Sequence, residues 1–178
     1  MEHRTGKIIV SSAGGTAAKG AKTYKVSIPS LWIKEMGLDE TKRNVELMFD
    51  GNSIYITAEK SFEEFVSQKK DMGHDIKKLS FYDNKELCSV ICADFTDKTL
   101  KAQNRTDDIV KTAFGNNKLP MWEDFMNFLQ ERCIPKERSG IREYLEAIGV
   151  AEYNPIEIIK KTKGKMAEDK QWIEIEEI

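Results

Sequence analysis

The stretch "KTYKVSIPSLWIKEMGL" (residues 22–38) decides how the first part of the chain folds. Its first half alternates apolar and polar residues, which is typical of a half-buried strand. Pro29 cannot donate a hydrogen bond to a strand ladder but suits the first turn of a helix, so the strand is expected to end there. The remaining residues predict a short amphipathic helix that ends at Gly37.

Strand-like segments lie on both sides of this stretch. "GKIIVSS" (6–12) precedes it, and the glycine-rich "AGGTAAKGAK" (13–22) joins the two strands. "NVELMFDGNSIYI" (44–56) predicts a hairpin that turns at Asp50-Gly51. Four short strands and one helical turn make a thin core for a domain of this size, which often needs a second copy to bury enough surface. We therefore expect a homodimer.

In order and spacing, these segments resemble the AbrB/MazE/SpoVT family of swapped-hairpin DNA-binding domains. The resemblance covers residues 5–58. The shared pattern is a hydrophobic residue followed by proline at the start of a short helix, then a glycine followed by a hydrophobic residue, and finally a hairpin. The matching residues are Val26, Ile28, Pro29, Trp32, Met36, Gly37, Leu38, Val45, Leu47, Asp50, Gly51, Ile54 and Ile56. The family implies that two chains interleave their hairpins into one β-barrel that presents basic side chains to DNA. The loop from Ser11 to Lys22 is longer and richer in glycine than the family's usual turn.

Basic residues concentrate at the start of the chain. Residues 1–27 hold 5 basic residues and 1 acidic residue, whereas residues 61–178 hold 19 basic and 23 acidic residues. Such a basic end predicts an anionic partner, and together with the resemblance it indicates double-stranded DNA. The candidate DNA-contacting side chains are Arg4, Lys7, Thr16, Lys19, Lys22, Thr23 and Lys25. The loop backbone is expected to approach DNA closely at Gly14, Gly15 and Gly20.

The rest of the chain predicts two further segments. Residues 59–74 read as a linker helix with Ser61 as its cap and Glu64 at capping-box spacing. Residues 75–178 predict an α+β C-terminal domain with a partner-binding or sensing role. Strands are expected in "KLSFYD", "LCSVICADF" and "TLKAQN", and helices over 107–114, 121–133, 139–149 and 155–164. The closing "WIEIEEI" is either an edge strand or a tail.

The predicted fold class is therefore α+β. A dimeric swapped-hairpin β-barrel over residues 1–58 is followed by a mainly helical domain with a small β-hairpin. The second half also resembles short modules encoded beside HipA-like kinases in toxin–antitoxin loci. The shared features are an aromatic helix, a closing Trp-Ile pair and the positions Arg132, Ile134, Pro135 and Arg138. This resemblance implies an antitoxin-like chain whose C-terminal domain engages a toxin or another protein.

Few residues indicate enzyme chemistry. The carboxylates that could hold a metal or share acid–base roles are Asp94, Asp97, Asp107 and Asp108, although turns and a helix start explain them equally well. His74 is predicted to be a surface histidine. Cys88 and Cys92 are expected to be reduced and packed on one face of a strand. We expect no metal site and no cofactor.

Together these features predict a dimeric DNA-binding transcriptional regulator that is antitoxin-like and autoregulatory, and not an enzyme. One alternative is a protein-interaction module of a toxin–antitoxin or defence locus without sequence-specific DNA binding. A second alternative is a metal-dependent enzyme that uses Asp94 and Asp97. The chain contains neither the ~18 apolar residues of a membrane span nor the apolar core of a secretory signal, so a cytoplasmic location is expected.

Overall fold

The fold is given by a computed structural model that describes residues 2–14, 16, 18 and 20–178. The chain divides into a first unit, residues 1–59, and a second unit, residues 60–178. Both units combine helices with antiparallel sheets, which confirms the predicted α+β class. Among the described residues, no helix has the length and apolar character that crossing a membrane requires.

The first unit consists of two separate hairpins with a short helix between them. Its elements are β1 (Ile9–Ser12), β2 (Lys22–Lys25), α1 (Ser30–Glu35), β3 (Val45–Phe49) and β4 (Ile54–Ala58). β1 pairs with β2 and β3 pairs with β4, both antiparallel. The described strands of this single chain form no closed barrel. The barrel of two interleaved chains therefore stays a prediction.

Local chemistry explains the breaks between these elements. Pro29 lies at the N-cap of α1, immediately before its first residue. Gly37 follows the helix with φ of +70°, in the left-handed region. Glycine adopts this conformation with little strain because it has no Cβ. In the turn between β3 and β4, the Asp50 carboxylate accepts the backbone N–H groups of Asn52 and Ser53 at 2.9 and 2.7 Å. The predicted hairpin is thus confirmed, with a four-residue turn over 50–53.

The second unit is built on one four-stranded antiparallel sheet. Its elements are α2 (Phe62–Asp71), β5 (Ile76–Asp83), β6 (Glu86–Asp94), β7 (Thr99–Asn104), a 3-10 turn (Ile109–Lys111), α3 (Trp122–Glu131), α4 (Ile141–Ile148), α5 (Pro155–Thr162) and β8 (Gln171–Glu177). The strand order is β7-β6-β5-β8. The prediction that the sheet is only a small β-hairpin was wrong, because the three predicted strands and the C-terminal stretch form one four-stranded sheet. The C-terminal stretch, expected as either an edge strand or a tail, is an edge strand that pairs with β5 along seven residues.

Two hydrophobic layers lie on opposite faces of this sheet. On one face, Leu79, Ile91 and Ile173 pack with Phe125 and the other buried residues of α3, α4 and α5. The helix predicted over 121–133 is thereby confirmed as α3, and its aromatic residues face this core. On the other face, Phe65 of α2 packs with Ile76 and Cys92.

The predicted capping box of α2 is confirmed. The backbone N–H of Ser61 donates to the Glu64 carboxylate at 2.9 Å, and the N–H of Glu64 donates to the Ser61 hydroxyl at 3.1 Å. The helix that was predicted as a linker belongs to the second unit and packs on its sheet.

A β-bulge separates the two cysteines of β6. The register between β5 and β6 shifts between Phe81 and Tyr82, so that Cys88 has no partner opposite it on β5. Cys88 consequently packs with the helices on one face, whereas Cys92 packs with α2 on the other. The expectation that both thiols share a face was wrong, because an inserted residue reverses the alternation. Both thiols are free and buried, as predicted, and the same holds for Cys133.

The helix predicted over 107–114 is reduced to the 3-10 turn. Asp108 accepts the backbone N–H of Val110, and the Thr112 hydroxyl donates to the carbonyls of Ile109 and Gly115. These local hydrogen bonds compete with helical ones, and the β-branched residues of the segment propagate a helix poorly.

Candidate functional site

The β1–β2 hairpin carries the basic residues that the sequence singles out. Cross-strand partners share a face, so Ile9 and Lys25 lie on one face while Ser12 and Lys22 lie on the other. Both lysines are exposed, and neither makes an ion pair with a described residue. The paired residues of β1 and β2 therefore offer one lysine on each face rather than a row of cations on one face.

The other predicted DNA contacts lie around this hairpin. Lys7 is exposed just before β1, Thr23 is half-buried within β2, and Thr16 is exposed in the loop between the strands. Arg4 lies with its guanidinium carbon 5.9 Å from the centre of the Trp32 ring of α1. The Trp32 Nε1 also donates to the Glu2 carboxylate at 2.6 Å, so the N-terminal segment lies against α1.

The connecting loop is described only in part. Gly20 has φ of +89°, a conformation that glycine adopts without strain. A Cβ added at Gly14 or at Gly20 would meet no atom within 4 Å, so the backbone at both positions is open to a partner. The predicted contacts at Gly15 and Lys19 fall outside the described residues.

The β3–β4 hairpin has one face made entirely of apolar residues. By register, this face consists of Val45, Leu47, Phe49, Ile54, Ile56 and Ala58. Leu47 is 64% exposed, Ile54 68% and Phe49 70%. The opposite face carries Glu46, Met48, Tyr55 and Thr57. An isolated two-stranded hairpin with such a face is marginal in water.

The first unit as a whole leaves its apolar residues uncovered. Leu38 is its one buried hydrophobic residue among those described. Most of the large exposed hydrophobic residues of the chain belong to this unit, including Ile8, Val10, Tyr24 and Val26 around the first hairpin. Large exposed apolar patches are uncommon on monomeric proteins and are typical of interaction sites.

The second unit contains a buried polar cluster at the end of β6. Asp94 has no exposed surface. Its Oδ2 lies 2.7 Å from the Lys69 Nζ of α2 and 2.8 Å from the His74 Nδ1, and its Oδ1 accepts the backbone N–H groups of Thr96 and Asp97. Lys69 also reaches the Asp97 carboxylate at 2.6 Å. The cluster thus fastens α2 to the turn that follows β6.

Charge compensation explains the protonation state of this cluster. Burial raises the pKa of Asp94, but the hydrogen bonds from Lys69, His74 and the two backbone amides outweigh burial and lower that pKa to about 2. Burial likewise lowers the pKa of Lys69, but its hydrogen bonds to Asp94 and Asp97 outweigh it and raise the pKa. Asp94 is therefore ionised and Lys69 charged at neutral pH.

The same cluster meets the geometric requirement for a metal site. Potential ligand atoms of His74, Asp94 and Asp97 all lie within 4.8 Å of one another. However, the Lys69 ammonium already lies between the two carboxylates and supplies the positive charge that a metal would bring. A divalent ion would have to displace this side chain, so the cluster is better suited to holding the fold together than to binding metal.

The structure separates the predicted carboxylates into two places. Asp94 and Asp97 lie together, whereas Asp108 caps the 3-10 turn through Val110 and is not part of the cluster. The prediction of a surface His74 was wrong, because its side chain is 12% exposed and hydrogen-bonded to Asp94. Lys69 was missed altogether. The one sequence signal for it was an aspartate at the end of the apolar run "LCSVICAD", since a buried carboxylate requires a positive partner.

Comparisons with protein-family models, with curated proteins and with solved structures found no match to this chain.

Proposed function

We propose that the chain is a dimeric DNA-binding transcriptional regulator, antitoxin-like and autoregulatory, whose second unit engages a protein partner. The observation that carries the proposal is the uncovered apolar face of the β3–β4 hairpin, in a unit whose exposed Lys22 and Lys25 make no ion pair with a described residue. A second copy would cover the apolar residues and double the number of cations. The dimer would then offer phosphates a positive surface around the β1–β2 hairpins.

The chemistry of these residues suits backbone contacts more than base reading. Lys22 and Lys25 are compact charges on flexible stems, which neutralise phosphates without fixing a base sequence. Thr16 and Thr23 add hydroxyls that can bond to phosphates or base edges. The open backbone at Gly14 and Gly20 allows the loop to approach a groove closely.

The buried cluster supports a role for the second unit that is not enzymatic. Asp94 and Asp97 are held by the Lys69 ammonium, which ties α2 to the sheet. The metal-dependent alternative would require both carboxylates to exchange this partner for an ion. The Asp94→Asn variant separates the two roles: a loss of stability alone supports the structural role, whereas the loss of a cation-dependent turnover would support the metal-dependent enzyme.

DNA binding by the full chain tests the proposal. We expect a promoter fragment from the chain's own locus to be retarded in a gel, with an affinity that falls steeply as salt rises. In a dimer, Lys22→Ala removes two cations, so the slope of log affinity against log salt should decrease by about 1.8 if both meet phosphates. Lys25→Ala is expected to act in the same way.

Lys136→Ala in the second unit is the matched control, because Lys136 is also exposed. It should leave the slope unchanged. A slope that is equally unaffected by Lys22→Ala and Lys25→Ala would refute the assigned surface. If no DNA is bound while a co-purifying protein is, the alternative of a pure interaction module holds instead.

A further inference from the structure

The segment between α5 and β8 is a positive region in an acidic unit. Residues 160–170, "KKTKGKMAEDK", contain 5 lysines and 2 acidic residues, whereas the other residues of the second unit contain 15 basic and 21 acidic residues. Charge of one sign that is concentrated in this way attracts ligands of the opposite sign. The DNA-binding surface proposed for the first unit does not involve this region.

A cavity of about 280 Å³ lies beside this segment. Lys165 and Lys170 line it together with Trp172, Gln171 and Asn84. Neither lysine makes an ion pair with a described residue, so both ammonium groups are available to a ligand. A cavity of this volume is at the small end of ligand sites and suits a compact group.

The acidic residue in the cavity wall is already neutralised. Asp169 receives two hydrogen bonds from the Arg132 guanidinium, at 2.5 and 3.1 Å, which lower the pKa of its carboxyl group. The same guanidinium donates to the carbonyl oxygens of Gly164 and Gln171 at 3.0 and 2.9 Å. Arg132 therefore holds the segment at Gly164 and Asp169 and the chain just after it at Gln171, and the free charge that remains at the cavity is positive.

The aromatic side of the cavity is also fixed. Trp172 stacks on Tyr82 with the ring centres 4.2 Å apart and donates its indole N–H to the carbonyl of Asn84 at 2.7 Å. The Lys163 Nζ lies 5.0 Å from the centre of the Trp172 ring. Lys163 holds this position in the left-handed region, with φ of +58°, which is unusual for a residue with a Cβ. A third ammonium group is thus held next to the cavity wall.

We propose that this cavity binds a phosphate group. Ammonium groups on a partly enclosed wall are the typical point-charge partners of phosphate, and the volume accommodates one phosphate with a small substituent. The phosphate belongs either to a small anion such as a nucleoside monophosphate or to the backbone of DNA, and the two sources require the same chemistry.

Nuclear magnetic resonance of the full chain tests this site. The indole N–H signal of Trp172, identified by its loss in Trp172→Phe, reports on the cavity wall. We expect it to shift saturably with inorganic phosphate and not with sodium chloride at equal ionic strength. Lys165→Gln combined with Lys170→Gln should weaken the apparent affinity about tenfold or more, because two charged hydrogen bonds are lost.

Lys98→Gln combined with Lys136→Gln is the matched control, since both lysines are exposed elsewhere in the same unit. It should leave the titration unchanged. Competition identifies the source: displacement by a nucleoside monophosphate indicates a free anion, and a shift seen only with duplex DNA indicates the DNA backbone. If none of the three probes gives a saturable shift, or if the lysine double variant responds like the native chain, the site does not exist. Both of these refuting outcomes concern only the cavity and leave the test of Lys22 and Lys25 in DNA binding unaffected.

Discussion

Asp94 is a carboxylate at a position where the pattern of β6 predicts an apolar side chain. A buried charge of this kind is stable only when it is paired and hydrogen-bonded. Lys69, His74 and two backbone amides meet that requirement, and each comes from a segment next to the end of the strand. The cluster thus joins α2, the α2–β5 connection and the β6–β7 turn through one residue.

Removal of the Asp94 charge should destabilise the second unit strongly. We expect Asp94→Asn to lower the free energy of unfolding by about 3 kcal/mol, because Lys69 then loses its buried partner. Urea unfolding followed by circular dichroism measures this change. Asp97→Asn serves as the control and should cost less than about 1 kcal/mol, since the Asp97 side chain is 47% exposed. Equal losses in the two variants would contradict the assigned role.

The lowered pKa of Asp94 also predicts how stability depends on acid. Its folded pKa is about 2 against an ordinary value of 3.8. The resulting stabilisation, about 2 kcal/mol, is fully present above pH 4 and is lost as the pH falls through 2. Between pH 5 and pH 2, the free energy of unfolding should therefore fall less steeply in Asp94→Asn than in the native chain. Parallel declines would show that other groups cause the acid sensitivity.

At the scale of elements, the β3–β4 hairpin is the part of the first unit that most needs a partner. We expect Leu47→Asp to raise the dimer dissociation constant by about a hundredfold or more, because it places a charge in the apolar face of both copies. Light scattering after size-exclusion chromatography measures the change. Thr57→Lys on the opposite face, where the new charge lies across from Glu46, is the control and should leave the dimer intact. A native chain that is monomeric at micromolar concentration would rule out this interface.

The elements show where sequence patterns suffice and where they do not. Alternation and capping residues predicted the β3–β4 hairpin, α2 and α3, because each depends on residues close together in sequence. The bulge at Cys88 could not be predicted, since it is set by pairing with β5. The placement of β8 likewise depends on a strand far away in the chain. Lys69 and His74 were missed as site residues for the same reason, as their partner Asp94 lies more than 19 residues away.

At the scale of the whole molecule, the two units differ in how they bury apolar surface. The second unit has a continuous core on one sheet face, whereas Leu38 is the single buried hydrophobic residue described in the first. We therefore expect two unfolding transitions in urea. Tenfold dilution should lower the midpoint of the first unit's transition and leave that of the second unit unchanged, because only association stabilises the first. One concentration-independent transition would contradict this division.

The pairing of β8 with β5 has a kinetic consequence. Lys77 and Glu177 meet at 2.7 Å although 100 positions separate them in sequence. Contacts between residues so far apart in sequence require a long loop to close before they contribute any stability. They therefore form late and slow folding. Until then the outer edge of β5 has unpaired backbone groups that another chain can bind. Hydrogen-exchange pulse labelling during refolding should find the amides of β8 protected last, and misassembly should be greatest in the interval before they are.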